Sequence, residues 1–100
     1  MSFWIYILRC SDGSYYTGHT DDLERRMAQY QAREMTGFVS TRFPVSMVFS
    51  AEFSSREEAL AQERKIKGWS RKKKEAMIKG DWAEVSRLSR SPFDRLRANG

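Results

Sequence analysis

The sequence contains little cysteine, proline or histidine and no long apolar run. Its one cysteine, Cys10, cannot form an internal disulfide and has no companion ligands at zinc spacing, which argues against a disulfide framework and a structural zinc site. The longest apolar run is far too short to span a bilayer. The N-terminus enters a predicted strand without a basic region and a cleavable hydrophobic segment. We therefore expect a cytoplasmic protein with no membrane partner.

The composition is typical of a small globular protein. The 100 residues are 40% hydrophobic and 13% aromatic, which is ample for one domain with one modest core. The sequence has no internal repeats and no low-complexity tract. We expect the domain to cover residues 1–90, and we expect residues 91–100, which lack periodicity, to form a flexible C-terminal tail.

The first residues predict a β-hairpin that carries two tyrosines. Residues 3–9 alternate as a strand, residues 11–13 (Ser-Asp-Gly) supply a turn whose glycine can take positive φ, and residues 14–17 return as a second strand. Ten positions separate Tyr6 from Tyr16, which fits two phenols facing each other across the hairpin. The sequence does not define the turn register, so the face that each tyrosine occupies stays open.

A helix is predicted after the hairpin. Residues 18–20 (Gly-His-Thr) are interpreted as a break, and Asp21 with Glu24 forms a capping box for a helix over residues 22–31. Helical spacing predicts an inward stripe of three residues, Leu23, Met27 and Tyr30.

Two adjacent arginines on this helix differ in position. Arg26 follows Leu23 by three residues and precedes Tyr30 by four, which puts it at the edge of the buried face. Arg25 points elsewhere, by about 100° of helical rotation. Two phenols that converge beside a basic helix can address a phosphate or an attacking water. Arg26 is therefore the better active-site candidate, and the pattern indicates phosphodiester chemistry.

Residues 32–44 have an irregular pattern that predicts a loop over the surface. Loops of this length tend to be functional. Arg33 and Arg42 flank the segment, so it either contacts a nucleic-acid backbone or serves as a plain connector.

A third strand is predicted over residues 45–53. Its alternation defines one apolar face, made of Val45, Met47, Phe49, Ala51 and Phe53. The strand has no chemistry-bearing residue on this face, and we expect Met47 and Phe49 to lie in the core.

A second capping box, Ser55 with Glu58, predicts a helix that continues to Lys67. Glu63 falls among apolar residues of this helix, and a carboxylate on an apolar face is costly to bury unless it is paired or bound to a metal. From the residues alone, the alternative to a metal ligand is a salt bridge to Arg26 or to a nearby lysine.

Two short helices are predicted near the end of the chain. Ser70 begins one helix that ends at Gly80, and Asp81 with Glu84 caps another. The last helix carries three apolar residues that we expect to close the core, Trp82, Val85 and Leu88.

The net charge is +5, and much of it comes from one basic cluster around Trp69. The cluster comprises Arg64, Lys65, Lys67, Arg71, Lys72, Lys73 and Lys74. Such clusters attract phosphates in a salt-dependent, sequence-independent way, which favours nucleic-acid binding. The alternative is a solvated pair of helices, as many soluble proteins have.

These motifs together resemble the GIY-YIG nuclease domain. The resemblance rests on residues 4–6 (Trp-Ile-Tyr), 16–18 (Tyr-Thr-Gly), 22–26 (Asp-Leu-Glu-Arg-Arg) and 59–67 (Ala-Leu-Ala-Gln-Glu-Arg-Lys-Ile-Lys), in matching order and spacing. In detail it is like the small single-domain branch found in bacteria. It implies an α/β (α+β) fold, with a three-stranded antiparallel sheet flanked by helices.

The resemblance also implies roles for single residues. Glu63 would hold one divalent metal, Mg²⁺ or Mn²⁺, and Arg26 would stabilise charge on the phosphoryl oxygens. Tyr6 would help to activate water, and Tyr16 would orient the water or the phosphate. His19 follows the Tyr-x-Gly motif where other branches carry lysine, so it is expected to approach a phosphate.

The chain departs from the family pattern at two positions. Trp4 replaces the first glycine of the family name, which matters little if only the tyrosine carries chemistry. Tyr30 stands where relatives of this branch often have histidine and other branches have tyrosine, so we include it among the catalytic residues.

The resemblance implies a metal-dependent endonuclease that hydrolyses phosphodiester bonds in DNA, for example in repair or recombination. The alternative is a catalytically weak or inactive nucleic-acid-binding protein that keeps the fold. A small scaffold that binds another protein would, in contrast, show no salt-dependent affinity for nucleic acid.

Overall fold

The chain alternates a three-stranded sheet with four α-helices. The computed structural model describes residues 2–34 and 37–89. The elements in chain order are β1 (Phe3–Arg9), β2 (Tyr15–Thr20), α1 (Leu23–Gln31), a 3₁₀ helix (Gly37–Thr41), β3 (Ser46–Phe53), α2 (Arg56–Lys67), α3 (Arg71–Ile78) and α4 (Trp82–Ser89). They form two compact units that divide after Glu63, so α2 contributes to both.

β1 is the central strand of an antiparallel sheet with the order β2-β1-β3. Its sequence, Phe-Trp-Ile-Tyr-Ile-Leu-Arg, is rich in the β-branched and aromatic residues that favour strands. In the turn to β2, Gly13 has a φ of 83°, and Asp12 accepts a hydrogen bond from the backbone N–H of Ser14 at 3.0 Å. The predicted three-stranded antiparallel sheet with helices is confirmed.

The boundary between β2 and α1 differs from the prediction. Residues 18–20 are not a break: they continue β2 and pair with residues 4–6 of β1. β2 continues through these residues because the backbone of β1 provides pairing partners for them, even though the apolar alternation of β2 has ended. The helix cap also shifts by one residue, since Asp22, not Asp21, accepts the hydrogen bond from the Arg25 backbone N–H at 3.1 Å.

A β-bulge in β3 changes which residues face the core. Ile7 pairs with Phe49, but its neighbour Leu8 pairs with Met47, so Val48 is an extra residue at this point. Residues opposite each other in antiparallel strands share a face, and the bulge therefore puts Met47 and Phe49 on different faces. Met47 is 42% exposed, so the prediction that it lies in the core is wrong.

The two faces of β1 bury different side chains. Ile5 and Ile7 lie on one face and are almost fully buried. Tyr6 and Leu8 lie on the other face, in a buried cluster with Tyr30 and Val39. The predicted inward stripe of α1 is confirmed, because Leu23, Met27 and Tyr30 all belong to this cluster or pack against it.

The second unit contains α3 and α4, and both helices begin as predicted. The Ser70 hydroxyl accepts from the Lys73 backbone N–H at 3.2 Å, and the Asp81 carboxylate accepts from the Glu84 backbone N–H at 3.1 Å. Trp82, expected to close the core, is instead 57% exposed. The predicted tail, residues 91–100, lies outside the described residues. No helix within the described part of the chain is long and apolar enough to cross a membrane.

Candidate active site

Three tyrosines meet on the face of the sheet that α1 covers. Leu8 pairs with Tyr16 and Tyr6 pairs with Gly18, so Tyr6 and Tyr16 share a face, which answers the question that the sequence left open. The ring centroids of Tyr6 and Tyr16 are 6.5 Å apart. Tyr30 reaches the pair from α1, with its ring centroid 6.0 Å from that of Tyr6 and its hydroxyl 2.8 Å from the Tyr6 hydroxyl.

Gly18 makes this arrangement possible. The Tyr6 ring lies across the backbone of Gly18, and a Cβ atom there would sit 2.6 Å from the Tyr6 hydroxyl oxygen and 3.0 Å from Cε2 of Tyr16. The first distance is shorter than real contacts and the second is unusually tight, so any side chain at this position must displace a tyrosine. The sequence placed Gly18 in a break and in the Tyr-x-Gly motif, but neither interpretation predicts its contact with Tyr6.

Tyr6 is a poor candidate for contact with an attacking water. It is 1% exposed, and its hydroxyl is bonded to that of Tyr30. Burial, followed by this hydrogen bond, raises the pKa of Tyr6 far above its ordinary value. Burial also raises the pKa of Tyr30. The expected role of Tyr6 in activating water stays a prediction, which this burial disfavours; of the three tyrosines, Tyr16 is the one that is only partly buried.

The raised pKa of Tyr6 predicts a loss of stability in alkaline solution. The folded state holds the phenol neutral, so its stabilisation is fully present below pH 10, the ordinary tyrosine pKa, and is lost as pH rises above that value. The unfolding free energy should fall there by up to about 1.4 kcal/mol per pH unit for each such phenol. Urea unfolding from pH 8 to 11 measures this fall, which should be shallower in Tyr6→Phe. An equal fall in both proteins would contradict the buried, neutral Tyr6.

Tyr16 also contacts a stack of side chains that lies outside the tyrosine cluster. Phe38 of the 3₁₀ helix stacks on Tyr16 with ring centroids 6.0 Å apart. The Arg42 guanidinium lies 3.8 Å from the Phe38 centroid and pairs with Asp12 at 3.1 Å. A hydrogen bond from the Ser14 side chain, helped by Arg42, lowers the pKa of Asp12. Arg42 is thus engaged within the protein, which favours the connector interpretation of this loop. Phe38 is a site residue that the sequence pattern did not reveal.

Arg26 connects the tyrosine cluster to an open cleft. Its positive charge acts on Tyr30, where it lowers the pKa of the phenol and opposes the larger effect of burial. It also lines a cleft of about 170 Å³ together with Phe3, His19, Thr20, Asp21 and Arg56. A second cleft, of about 420 Å³, shares Arg26 and is lined by Arg25 as well. The expectation that Arg25 points elsewhere is wrong to this extent, because both arginines of α1 line one open surface.

Glu63 is buried against His19, at the edge of the same region. Its side chain is 8% exposed, and His19 Nδ1 lies 3.0 Å from Oε1 and 2.8 Å from Oε2. His19, a partner that the sequence did not suggest, therefore bonds this carboxylate. His19 also lines the smaller cleft, which Arg26 lines as well. Glu63 therefore contacts a residue of the cleft that contains Arg26.

Glu63 offers one carboxylate, which is the kind of ligand that suits a hard divalent cation. Among the described residues, no group of three or more His, Cys, Asp and Glu side chains surrounds a common point. Mg²⁺ is usually held by one or two carboxylates, with water and substrate phosphates completing its shell. A single buried carboxylate beside a cleft therefore suits Mg²⁺ or Mn²⁺ and does not suit a cation that needs a full protein cage.

The basic cluster of the second half of the chain is mostly exposed, with one exception. Arg64, Lys65, Lys67, Arg71 and Lys72 are exposed and Lys74 is half-buried. Lys73 is 6% exposed, with Nζ 4.2 Å from the centroid of the Trp69 ring. Lys73 therefore differs from the other residues of the expected nucleic-acid-binding set, because it is buried and its ammonium makes a cation–π contact.

Comparison with known proteins was consistent with this geometry. A profile of the GIY-YIG catalytic domain matches residues 2–76. A UPF0213 protein of Halobacterium salinarum is 41% identical over 74 residues, which covers 74% of this chain and 96% of the relative. A UPF0213 protein of Halalkalibacterium halodurans is 36% identical over 92 residues, which covers 89% of this chain and 98% of the relative.

Two solved structures are also similar. The solution NMR structure of a UPF0213 protein from Bacillus halodurans has a TM-score of 0.51 and 34% identity, and the match covers 94% of this chain and 92% of that one. The solution NMR structure of a protein from E. faecalis has a TM-score of 0.57 and 34% identity, covering 83% of this chain and 88% of that one. Both matches agree with the mixed α/β fold.

Proposed function

This chain belongs to the GIY-YIG family, and from that premise we propose that it is a metal-dependent endonuclease that hydrolyses phosphodiester bonds in DNA. The observation that carries the proposal is the combination of the partly buried Tyr16 with Arg26 and the buried carboxylate of Glu63 in one compact unit. Nucleic-acid binding alone would not require a buried carboxylate beside an arginine-lined cleft.

The proposed reaction adds water across one P–O bond of the substrate. Arg26 binds the non-bridging oxygens of the scissile phosphate, because its planar fork of donors matches a phosphate and its charge offsets the negative charge of the transition state. As the phenolate, the Tyr16 oxygen takes a proton from the attacking water while the water oxygen bonds to phosphorus. The P–O bond to the leaving oxygen breaks, and that oxygen takes up a proton from solvent.

Other residues of the site have supporting roles. Tyr6 and Tyr30 position the Tyr16 ring and the Arg26 guanidinium, so in this proposal they act through those groups. Glu63 would hold the divalent cation, which supplies Lewis-acid stabilisation of the leaving oxygen. His19 keeps the Glu63 carboxylate at the edge of the cleft.

A cleavage assay tests the proposal directly. Purified protein is incubated with labelled duplex, single-stranded and branched DNA, with Mg²⁺, Mn²⁺ or EDTA. We expect cleavage that disappears with EDTA and in Glu63→Gln. Glu57→Gln is the matched control, because Glu57 is an exposed carboxylate on the same helix, and it should cleave like the wild type. A preference for branched DNA would favour a role in repair or recombination.

The same assay separates the alternative function. The observation in favour of an inactive binder is that His19 occupies both oxygens of Glu63. DNA binding without cleavage on every substrate and with either metal would support that alternative and would end the nuclease proposal. Cleavage that persists in Glu63→Gln would instead show that the metal is held elsewhere.

A further inference from the structure

Two clefts in the first unit adjoin each other along the edge of the sheet and α1. The smaller, about 170 Å³, is lined at one end by Arg56, and the larger, about 420 Å³, is lined by Arg25. Thr20, Asp21 and Arg26 line both. The two clefts therefore adjoin at these residues. Together they are called here the arginine groove, with Arg25 lining one cleft, Arg56 the other and Arg26 both.

The three arginines come from two separate parts of the sequence. Arg25 and Arg26 lie in the first turn of α1, next to its cap at Asp22. Arg56 is the first residue of α2, where the Ser55 hydroxyl caps the helix by accepting from the Glu58 backbone N–H at 3.2 Å. Both arginines that flank Arg26 thus extend from fixed helix starts, so their positions along the groove are set by the backbone.

The flanking arginines are free to bind a ligand. Arg25 and Arg56 are exposed, and among the described residues neither guanidinium has an ion-pair partner. An arginine without a partner beside an open cleft suits an anion, since its five donors have fixed geometry and no internal acceptor. Ligands for this groove are therefore negatively charged along its length.

Two carboxylates in the groove oppose such a ligand. The Asp22 carboxylate already accepts the backbone N–H of Arg25. Asp21 is exposed and lines both clefts, so its charge faces any bound anion. The groove therefore balances the charges of three arginines against those of these two acids, which leaves it attractive to phosphate but sensitive to salt.

We propose that the arginine groove binds the sugar-phosphate backbone of one nucleic-acid strand on both sides of the scissile phosphate. Arg26 contacts the central phosphate, while Arg25 and Arg56 contact phosphates on opposite sides of it. This inference rests on the proposed function for the identity of the central phosphate. It assigns binding of the substrate strand to residues of the first unit and not to the basic cluster of residues 64–74. Contacts of this kind carry register and affinity but no base specificity.

Binding of a fluorescein-labelled 15-nucleotide single-stranded DNA, measured by anisotropy in EDTA from 50 to 300 mM NaCl, tests the groove without any cleavage. We expect Arg25→Gln and Arg56→Gln each to weaken binding several-fold at low salt. Each should also reduce the slope of log K against log salt by about 0.7, the value for one phosphate contact on a single strand. Asp21→Asn should act in the opposite direction and tighten binding.

Arg9→Gln is the matched control, because Arg9 is an exposed arginine of the same unit that lines neither cleft. It should keep the wild-type affinity and slope, and thermal melting of all variants confirms that they fold. Wild-type slopes in both Arg25→Gln and Arg56→Gln, with a reduced slope in Lys72→Gln, would place the strand on the basic cluster and overturn the groove. Absence of binding by the wild type at 50 mM NaCl would also overturn it.

The design separates this inference from the proposed function. Expected binding changes in a protein that cleaves no DNA would support the groove and end the nuclease proposal. If the wild type cleaves DNA but neither Arg25→Gln nor Arg56→Gln changes binding, the nuclease proposal would be supported and the arginine groove would be overturned.

Discussion

Replacing Gly18 with alanine is expected to displace the tyrosine cluster and to lower both stability and cleavage. The added Cβ would meet the Tyr6 hydroxyl oxygen at 2.6 Å and Tyr6 Cζ at 2.8 Å. Tyr6 has no room to move, because it is 1% exposed and bonded to Tyr30. Overpacking of this kind costs about 1–3 kcal/mol, which corresponds to about 4–8 °C in melting temperature for each kcal/mol in a domain of this size.

Gly13→Ala is the control that separates close contact from backbone strain. Gly13 has a φ of 83°, which favours glycine, but a Cβ there would meet nothing within 4 Å. This variant should lose some stability and keep its cleavage rate once folded. Melting temperature, near-ultraviolet circular dichroism of the tyrosines and cleavage rate are measured for both. If Gly18→Ala kept wild-type stability and spectrum, the packing of Tyr6 over Gly18 would be wrong.

Tyr16→Phe is expected to lower kcat by about 10²–10⁴-fold, the usual contribution of a positioned general base. The ring contacts of Tyr16 with Tyr6 and Phe38 are retained in phenylalanine, since they do not involve the hydroxyl. No hydrogen bond joins the Tyr16 hydroxyl to another residue in the described part of the chain. Stability should therefore change by no more than about 0.5 kcal/mol.

Tyr6→Phe provides the comparison for this prediction. It removes the 2.8 Å bond to the Tyr30 hydroxyl in a buried site, which should cost about 1 kcal/mol of stability. Its effect on kcat should be smaller than that of Tyr16→Phe, because Tyr6 acts through Tyr16 and Arg26 in the proposed site. The kinetic constants and urea unfolding curves of both variants are measured on the same DNA. A larger loss of kcat in Tyr6→Phe would return the role of activating water to Tyr6.

Local signals in the sequence predicted most of the secondary structure. The caps of the last three helices lie at Ser55, Ser70 and Asp81 as predicted. A cap depends on a side chain and a backbone N–H within three residues, so it is encoded locally. The errors occurred where strand pairing competed with local preference: β1 extended β2 through His19 to Thr20, and the bulge in β3 turned Met47 to the opposite face.

The candidate site was predictable in its residue types but not in its contacts. The motifs identified Tyr6, Tyr16, Arg26 and Glu63, because each belongs to a segment with recognisable spacing. They did not identify His19 as a partner of Glu63, since His19 lies 44 positions away along the chain. They also assigned water activation to Tyr6, a role that the burial of Tyr6 disfavours.

The sequence by itself determined the family, the sheet with its helices, and the residue types that can serve phosphodiester chemistry. Tertiary structure alone decided which tyrosines are buried, why position 18 has no side chain, and that Arg56 and Arg25 line adjoining clefts that share Arg26. The physical reason is that capping and alternation act between near neighbours, whereas burial, close approach and shared clefts depend on strand register and on residues far apart in the chain.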